Sequence, residues 1–319
     1  MKAGLEIPDE LQQKILAAHG NKGAVWLTKL PLLISQYQKL WDITLITLVN
    51  DVSYNFVAHA KFNNNSANVI FKAVVPGQYY MSELQALKFF AGKGCVELLD
   101  YVVEDGVMLL EEAQPGTTLA EYTRSGRDEE AIVICADLIR ILHARPFSSD
   151  SLKSPPQYLH DLFSDFEDIK PLVSKKGSVF ELQILLRAQQ EYADLLASTK
   201  ANILLHGDLH HFNILKSTRN NWLAIDPHGI VGDATFEIAA FMRNPYPGIL
   251  KIGSTKKLLQ RRIDIFADLL GFDKQRIWRW SFAHNILAAG CMFQDQLGDW
   301  EEIYQLCLIL LEIPEYQRM

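Results

Sequence analysis

The chain has 319 residues, of which 49% are hydrophobic and 22% charged, and 31 basic against 38 acidic residues give a net charge of −7. This composition excludes a disordered chain, a collagen-like repeat and a small disulfide-bonded scaffold. The acidic balance, without any long Lys/Arg-rich run, argues against a nucleic-acid partner. The length predicts about two domains, or one large domain with two lobes.

The four cysteines, none of them spaced as C-x-x-C, lie in apolar contexts, which predicts reduced thiols and a cytoplasmic protein. The N-terminal stretch has no apolar signal-peptide core. No run of about 18 apolar residues occurs, so we expect no membrane span. The sequence does not indicate an oligomeric state.

The first third of the chain mixes helical and strand patterns. Helical spacing of apolar residues predicts helices over 8–19, 23–41 and 79–91. Runs rich in β-branched and aromatic residues, separated by turn-forming residues, predict strands. These strands are expected at 43–49, 54–62, 67–74, 96–103 and 106–111.

Helical patterns dominate the rest of the chain. They cover residues 128–144, 156–171, 179–199, 255–270, 273–292 and 299–311. This order predicts an α+β protein with a strand-rich part over residues 1–113 and a mostly helical part over 114–319. Neither G-x-G-x-x-G nor the P-loop pattern is present, which removes the dinucleotide-binding and P-loop interpretations.

One compact segment, residues 203–226, carries the chemistry. Its short apolar runs anchor three polar residues, Asp208, Asn213 and Asp226. Phosphoryl transfer needs a carboxylate that orients a hydroxyl and accepts its proton, and Asp208 fits that role. The reaction also needs oxygen ligands for Mg²⁺, and Asn213 and Asp226 fit the role of ligands. Their spacing is that of a kinase catalytic loop and metal segment.

Two upstream residues extend this pattern. Lys72 lies in an apolar strand, and Glu83 opens the next helix. Taken alone, the pair is weak evidence, because an edge lysine that points to water is the commoner case and an acidic residue is favoured in a first helical turn. In this order before the catalytic segment, they predict an ammonium group on the α/β-phosphates of a nucleotide.

Further runs complete the pattern over nearly the whole chain. They are a helical leader from Ile7 to Trp41, Ser53-Tyr54-Asn55, the hinge-like run from Leu109 to Thr117, His206 to His211, Ile225-Asp226-Pro227 and Arg243-Asn244-Pro245. With these runs, the chain resembles the aminoglycoside phosphotransferases of the protein-kinase-like fold. It is more closely similar to their streptomycin 6-phosphotransferase branch, grouped as aminoglycoside/hydroxyurea antibiotic resistance kinases.

The resemblance implies a two-lobed fold with ATP and Mg²⁺ bound between a strand-rich N-lobe and a helical C-lobe. It implies that Lys72 contacts the α/β-phosphates and that Glu83 holds Lys72. Ser53 is expected in the hairpin that covers the nucleotide. The backbone from Glu111 to Ala113 is expected to receive the adenine edge.

On the catalytic side, the resemblance implies that Asp208 is the base and that His206 orients the same loop. Asn213 and Asp226 are the implied Mg²⁺ ligands, and Glu237 is expected to brace the catalytic loop. The implied activity is ATP-dependent phosphorylation of a hydroxyl on a small cationic acceptor, an aminoglycoside such as streptomycin.

Three alternatives stay open. The first is a kinase of a hydroxylated metabolite on the same fold, because Phe212 and His228 depart from the family pattern beside the catalytic loop. A zinc-dependent hydrolase is another, because four potential ligands lie between His206 and His211. A non-catalytic nucleotide-binding module is the third, although all the expected acid and metal positions are present.

The acceptor side carries weaker signals. A cationic acceptor needs carboxylates, and helical spacing places Asp161, Asp165 and Asp168 on one face. For any one of these aspartates, a solvated helix face is the commoner explanation. At helical spacing further along the chain, Trp278, Phe282 and His284 are expected either to line a pocket or, more commonly, to fill the core.

Overall fold

The computed structural model describes residues 7–49, 54–149, 152, 155–175, 179–295, 298 and 300–313. The chain divides into two compact units, Met1–Gln114 and Pro115–Met319. The first is rich in strands, and the second is mostly helical with two small sheets. The predicted α+β class is therefore confirmed.

The first unit contains an antiparallel sheet with strand order β1-β2-β3-β5-β4. Its strands are β1 (Ile43–Leu48), β2 (Phe56–Phe62), β3 (Asn68–Ala73), β4 (Leu98–Val102) and β5 (Val107–Glu111). Two helices accompany them, α1 (Asp9–Leu40) and α2 (Gln78–Phe90). Non-helical backbone at Gly20 interrupts α1, which accounts for the two separate helices that the sequence predicts there.

The period-two pattern of the strands buries one sheet face against α1. Phe56 of β2 and Phe71 of β3 are fully buried, with ring centroids 6.2 Å apart. Trp41, just after α1, packs edge-on against Phe71 at 6.0 Å. Because successive strand residues point to opposite faces, this packing directs Lys72, the next residue of β3, to the other side of the sheet.

The second unit has two small sheets, with strand orders β10-β9-β6 and β7-β11-β8. The strands are β6 (Pro115–Thr118), β7 (Gln157–Tyr158), β8 (Ile203–Leu205), β9 (Ile214–Ser217), β10 (Asn221–Ala224) and β11 (Ile230–Gly232). The helices are α3 (Ala120–Arg124), α4 (Asp128–His143), α5 (Asp165–Val173), α6 (Leu182–Ala197), α7 (Ala239–Met242), α8 (Thr255–Leu270), α9 (Lys274–Gln294) and α10 (Trp300–Leu311).

Helix α9 is the centre of the second unit and packs against α5, α6, α8 and α10. Apolar residues surround it on most sides, as is typical of a buried helix. Trp278 and Phe282 are buried and stacked at 5.7 Å, and the Trp278 indole N–H donates to the Leu310 carbonyl. These two aromatic residues therefore belong to the core, not to a pocket.

The helix predicted over residues 156–171 is only partly correct. Residues 157–158 form β7, and a 3-10 helix, Leu159–Ser164, precedes α5. Pairing of β7 with the parallel strand β11 overrides the local helical pattern. Tyr158 caps the 3-10 helix, and its backbone N–H donates to the Asp161 carboxylate at 2.7 Å.

The four cysteines are free thiols. Cys95, Cys135 and Cys307 are buried, and Cys291 is half-buried. Burial raises the pKa of Cys135 and Cys307. Among the described residues, no helix combines the length and apolar character that a membrane crossing demands.

Candidate active site

Lys72 and Glu83 form a buried ion pair in the first unit. The Lys72 Nζ atom donates to Glu83 Oε1 at 2.6 Å, and the two residues are 2% and 7% exposed. A solvated edge lysine is therefore ruled out. Removing charges from water is costly unless each finds a partner, so this pair keeps an ammonium at a defined position beside the sheet.

The hinge-like segment begins at the end of β5. The Glu111 backbone N–H donates to the Glu97 carbonyl at 2.9 Å, and its Oε2 accepts from the Glu97 N–H at 2.9 Å. Ala113, two residues further on, is buried. These contacts fix the backbone that enters the segment. Ser53 lies outside the described residues.

In the second unit, Glu237 braces the loop that follows β8. Its buried carboxylate accepts hydrogen bonds from the backbone N–H groups of His206 and Gly207, both at 2.8 Å. A third donor, His143 Nε2, lies 3.0 Å from Glu237 Oε2. Burial raises the pKa of Glu237, but the hydrogen bond and charge of His143 and the Gly207 N–H outweigh it, so the net pKa is lowered.

His206 organises the same loop from inside. Its ring is fully buried; Nε2 donates to the Ile225 carbonyl at 2.8 Å, and Nδ1 accepts from the Asp208 N–H at 3.3 Å. Burial is the largest influence on the His206 pKa and lowers it, so the ring is neutral at pH 7. The orienting role expected from the sequence fits this position.

Asp208 presents a partly exposed carboxylate between basic side chains. Arg243 Nη2 donates to Oδ1 at 2.9 Å. On the other oxygen, Oδ2, His210 Nε2 lies at 3.3 Å and His228 Nε2 at 3.8 Å. Burial raises the Asp208 pKa, but the charges of His210, His228 and Arg243 and the His210 hydrogen bond more than offset it. They hold the pKa well below its usual range, so Asp208 is ionised.

The hairpin of β9 and β10 brings Asn213 and Asp226 together. Ala224 pairs with Ile214, and the Ile225 N–H donates to the Asn213 carbonyl at 2.9 Å, so Asp226 follows directly after this contact. The Asn213 amide nitrogen donates to the Asp208 carbonyl at 3.0 Å, which leaves the amide oxygen as its cation-binding atom. The exposed Asp226 has a left-handed backbone, φ +59°. An amide oxygen and a carboxylate oxygen suit Mg²⁺.

Two histidines of this loop, His206 and His211, are engaged by other partners, whereas His210 faces Asp208. His211 is fully buried, and its Nε2 contacts the Thr123 hydroxyl at 3.1 Å. His206 uses both ring nitrogens, as described above. In the described ranges, no three His, Cys, Asp or Glu side chains are grouped as a metal ion would require. This arrangement is contrary to the zinc-hydrolase alternative.

The family model for aminoglycoside/hydroxyurea antibiotic resistance kinases matches residues 57–296. The chain belongs to this family. It is 26% identical over 300 residues to the streptomycin 6-kinase of Streptomyces griseus, covering 93% of this chain and 92% of that protein. It is also 33% identical over 212 residues to the streptomycin 3''-kinase of Klebsiella pneumoniae, covering 66% and 74%. The sequence resemblance is thereby confirmed, and the protein is a phosphotransferase.

Comparison with a solved structure identifies the fold of the chain. The ethanolamine kinase of Plasmodium vivax aligns with a TM-score of 0.63 at 13% identity, covering 98% of this chain and 97% of that one. The predicted protein-kinase-like fold is therefore confirmed.

This chain differs from the family pattern at two positions beside the catalytic loop, Phe212 and His228. Phe212 is half-buried, with the Arg124 guanidinium 5.3 Å from its ring centroid. The side chain of His228 is 51% exposed and faces Asp208 Oδ2. Of the two, only His228 is thus shown beside the Asp208 carboxylate, whereas Phe212 lies against Arg124.

The sequence did not identify Arg243 as a site residue. It stands 35 positions after Asp208, just beyond α7, and no spacing rule connects the two. The run Arg243-Asn244-Pro245 was visible as part of the family pattern.

The acidic face expected on one helix is corrected by the structure. Asp161 belongs to the 3-10 helix, while Asp165 and Asp168 belong to α5. Burial and the neighbouring Asp168 raise the pKa of Asp165. Burial also raises the pKa of Cys291 to about 12, with Asp165 and Asp295 adding to the rise. Two aspartates, not three, therefore share the helical face.

Proposed function

We propose that this protein transfers the γ-phosphoryl group of ATP to a hydroxyl group of an aminoglycoside, with streptomycin as the first acceptor to test. Its family is one of antibiotic resistance kinases, and two relatives are named as streptomycin kinases. The similarity to the 6-kinase extends over 93% of the chain, so it includes both compact units.

The observation that carries this function is the environment of Asp208. The carboxylate is ionised, partly exposed and fixed at Oδ1 by Arg243. Its loop is held by Glu237 through two backbone N–H groups. Fixed geometry of this kind lowers the entropic cost of bringing a hydroxyl into line for attack.

The chain's own residues would act as follows. Asp208 Oδ2 accepts a hydrogen bond from the acceptor hydroxyl, orients its oxygen and takes the proton as the bond to the γ-phosphorus forms. The bond between the γ-phosphorus and the bridging β-phosphate oxygen breaks in the same step, and ADP leaves. Lys72, held by Glu83, neutralises charge on the α/β-phosphates. The backbone from Glu111 to Ala113 receives the adenine edge.

We further propose that Asn213 and Asp226 hold Mg²⁺ through their side-chain oxygens. The Ile225–Asn213 backbone hydrogen bond, which sets the two residues at one end of the hairpin, supports this assignment. When bound, the ion would neutralise negative charge on the transferred phosphoryl group.

The acceptor is proposed to be cationic. Asp165 and Asp168 of α5 are the candidate carboxylates for its guanidinium or ammonium groups. A phosphate added to such an acceptor introduces a charge of about −1.5 to −2, which opposes its binding to an anionic target such as RNA.

The test is an assay of ADP release with ATP and Mg²⁺, using streptomycin, other aminoglycosides, hydroxyurea and hydroxylated metabolites as acceptors. We expect streptomycin-dependent turnover that falls roughly 10³-fold in Asp208→Asn, while the variant still binds nucleotide. The phosphorylated position follows from NMR of the product.

Three other outcomes would change the conclusion. Turnover with a metabolite only would retain the reaction and replace the acceptor. Nucleotide binding without turnover on any acceptor would support the binding-module alternative. Full turnover by Asp208→Asn would remove Asp208 from the role of base.

A further inference from the structure

Arg243 makes two contacts that join Asp208 to the core of the second unit. Its Nη2 donates to Asp208 Oδ1 at 2.9 Å, and its Nη1 donates to Asn285 Oδ1 at 3.0 Å. The arginine side chain is only 14% exposed. A charge-assisted bond of this kind is shorter and stronger than a bond between neutral groups.

The far end of this chain of contacts is rigid. Asn285 lies in the central helix α9, is fully buried, and donates through Nδ2 to the Ala239 carbonyl of α7 at 3.1 Å. The backbone that carries Arg243 is fixed as well. The fully buried Arg262 donates to the carbonyls of Phe241, at 2.9 Å, and Asn244, at 2.7 Å.

These contacts separate the two oxygens of the Asp208 carboxylate. Arg243 occupies Oδ1, whereas Oδ2 faces His210 and His228 at 3.3 and 3.8 Å and accepts a long 3.5 Å hydrogen bond from the Asn213 amide. Two further histidines lie within electrostatic reach of Asp208, His206 in its own loop and His284 on α9. Among these partners of Asp208, Arg243 is held in turn by Asn285 of the buried helix α9.

We propose that Arg243, held by Asn285, is a positioning residue that fixes the rotamer of Asp208 so that Oδ2 receives the acceptor hydroxyl. This inference rests on the proposed function, because it takes Asp208 as the residue that meets the acceptor. Arg243 acts through Asp208 and contacts neither the nucleotide nor the acceptor. Its contribution lies in kcat, since a misdirected carboxylate slows transfer without weakening substrate binding.

The test compares Arg243→Lys, Arg243→Met and Arg243→Ala with the wild-type chain, using streptomycin and ATP·Mg²⁺. We expect Arg243→Met to lower kcat roughly 10²-fold while both KM values change by less than about threefold. Arg243→Lys should recover part of that loss. Added methylguanidinium should restore turnover in Arg243→Ala, a rescue that a merely structural residue does not show.

A double-mutant cycle tests the link to α9. Asn285→Ala should lower kcat in the wild-type background but have little further effect beside Arg243→Met, because the two changes break one chain of contacts. Asn244→Ala is the matched control. That buried asparagine, the next residue in the chain, also donates to an α7 carbonyl, Ala240 at 2.9 Å, but its amide oxygen accepts from the Tyr246 N–H at 3.0 Å and not from the Arg243 guanidinium. Any effect of Asn244→Ala on kcat should add to the effect of Arg243→Met.

Thermal unfolding and ATP binding, measured on every variant, separate positioning from loss of fold. If streptomycin gives no turnover in the wild type, the same comparison is made on acceptor-free ADP release, in which water takes the place of the hydroxyl. The proposed function then fails while the Arg243 test stands. An unchanged kcat in Arg243→Met, absence of rescue, or a loss confined to ATP affinity would overturn the inference.

Discussion

Glu237 and Gly207 are joined by a 2.8 Å hydrogen bond from the glycine N–H to a carboxylate that has no exposure to water. The same carboxylate accepts from the His206 N–H and contacts His143. A buried carboxylate with several donors is stable only while all of them are present. The position of the catalytic loop therefore depends on the charge of one residue.

Glu237→Gln should lower the free energy of unfolding by about 2 kcal/mol at pH 7, because an amide cannot accept from all these donors. The pKa of Glu237 is below its usual value, so its stabilisation is present at neutral pH and is lost as the pH falls through the folded-state value. Chemical denaturation between pH 7 and 3 should show a steeper loss in the wild type than in the variant. Parallel curves would contradict this account.

Gly207 has φ +85°, and a Cβ atom there would lie 3.3 Å from the His228 Cβ. Gly207→Ala should therefore cost about 1–2 kcal/mol and lower turnover, since the loop must shift. Gly271→Ala is the control, because Gly271 has φ +69° but open space at the Cβ position. The two variants should lose similar stability from backbone strain, and only Gly207→Ala should lose activity. Equal activities would show that the His228 contact is unimportant.

Lys72→Met leaves the Glu83 carboxylate buried without its 2.6 Å partner. We expect a loss of about 3 kcal/mol in stability and a roughly 10²-fold fall in turnover with ATP. The double variant Lys72→Met/Glu83→Gln should regain stability but not activity. Differential scanning calorimetry and ADP-release kinetics measure the two effects separately. Recovery of both together would mean that Lys72 serves the fold and not the nucleotide.

Asp226→Ala should raise the Mg²⁺ concentration for half-maximal nucleotide binding roughly tenfold or more, because it removes one of two protein oxygen ligands. Binding of a fluorescent ATP analogue during a Mg²⁺ titration measures this. Asp264→Ala is a suitable control, since Asp264 pairs with Lys274 on the surface. An unchanged Mg²⁺ requirement in Asp226→Ala would remove this residue from the metal site.

Sequence patterns predict those elements and site residues whose structural partners lie close to them in the chain. Asp208, Asn213 and Asp226 lie in one hairpin-containing segment, and Lys72 and Glu83 occupy a strand and the next helix, so spacing was informative. Arg243 reaches Asp208 only because α7 ends where it does, which depends on packing against α9. The 156–171 segment was misassigned for a related reason. Its β7 pairs with β11, more than 70 positions later, and no local pattern encodes that pairing.

The free thiols give each unit its own reporter of opening. Cys95 is buried in the first unit, and Cys135 and Cys307 are buried in the second. A thiol reagent reaches them only when the surrounding core opens, because the thiolate is the reactive form and both it and the reagent need access. Mass spectrometry of peptides after timed alkylation would thus yield two separate opening rates from one unmodified chain. Those rates would show whether the two units of this kinase unfold independently.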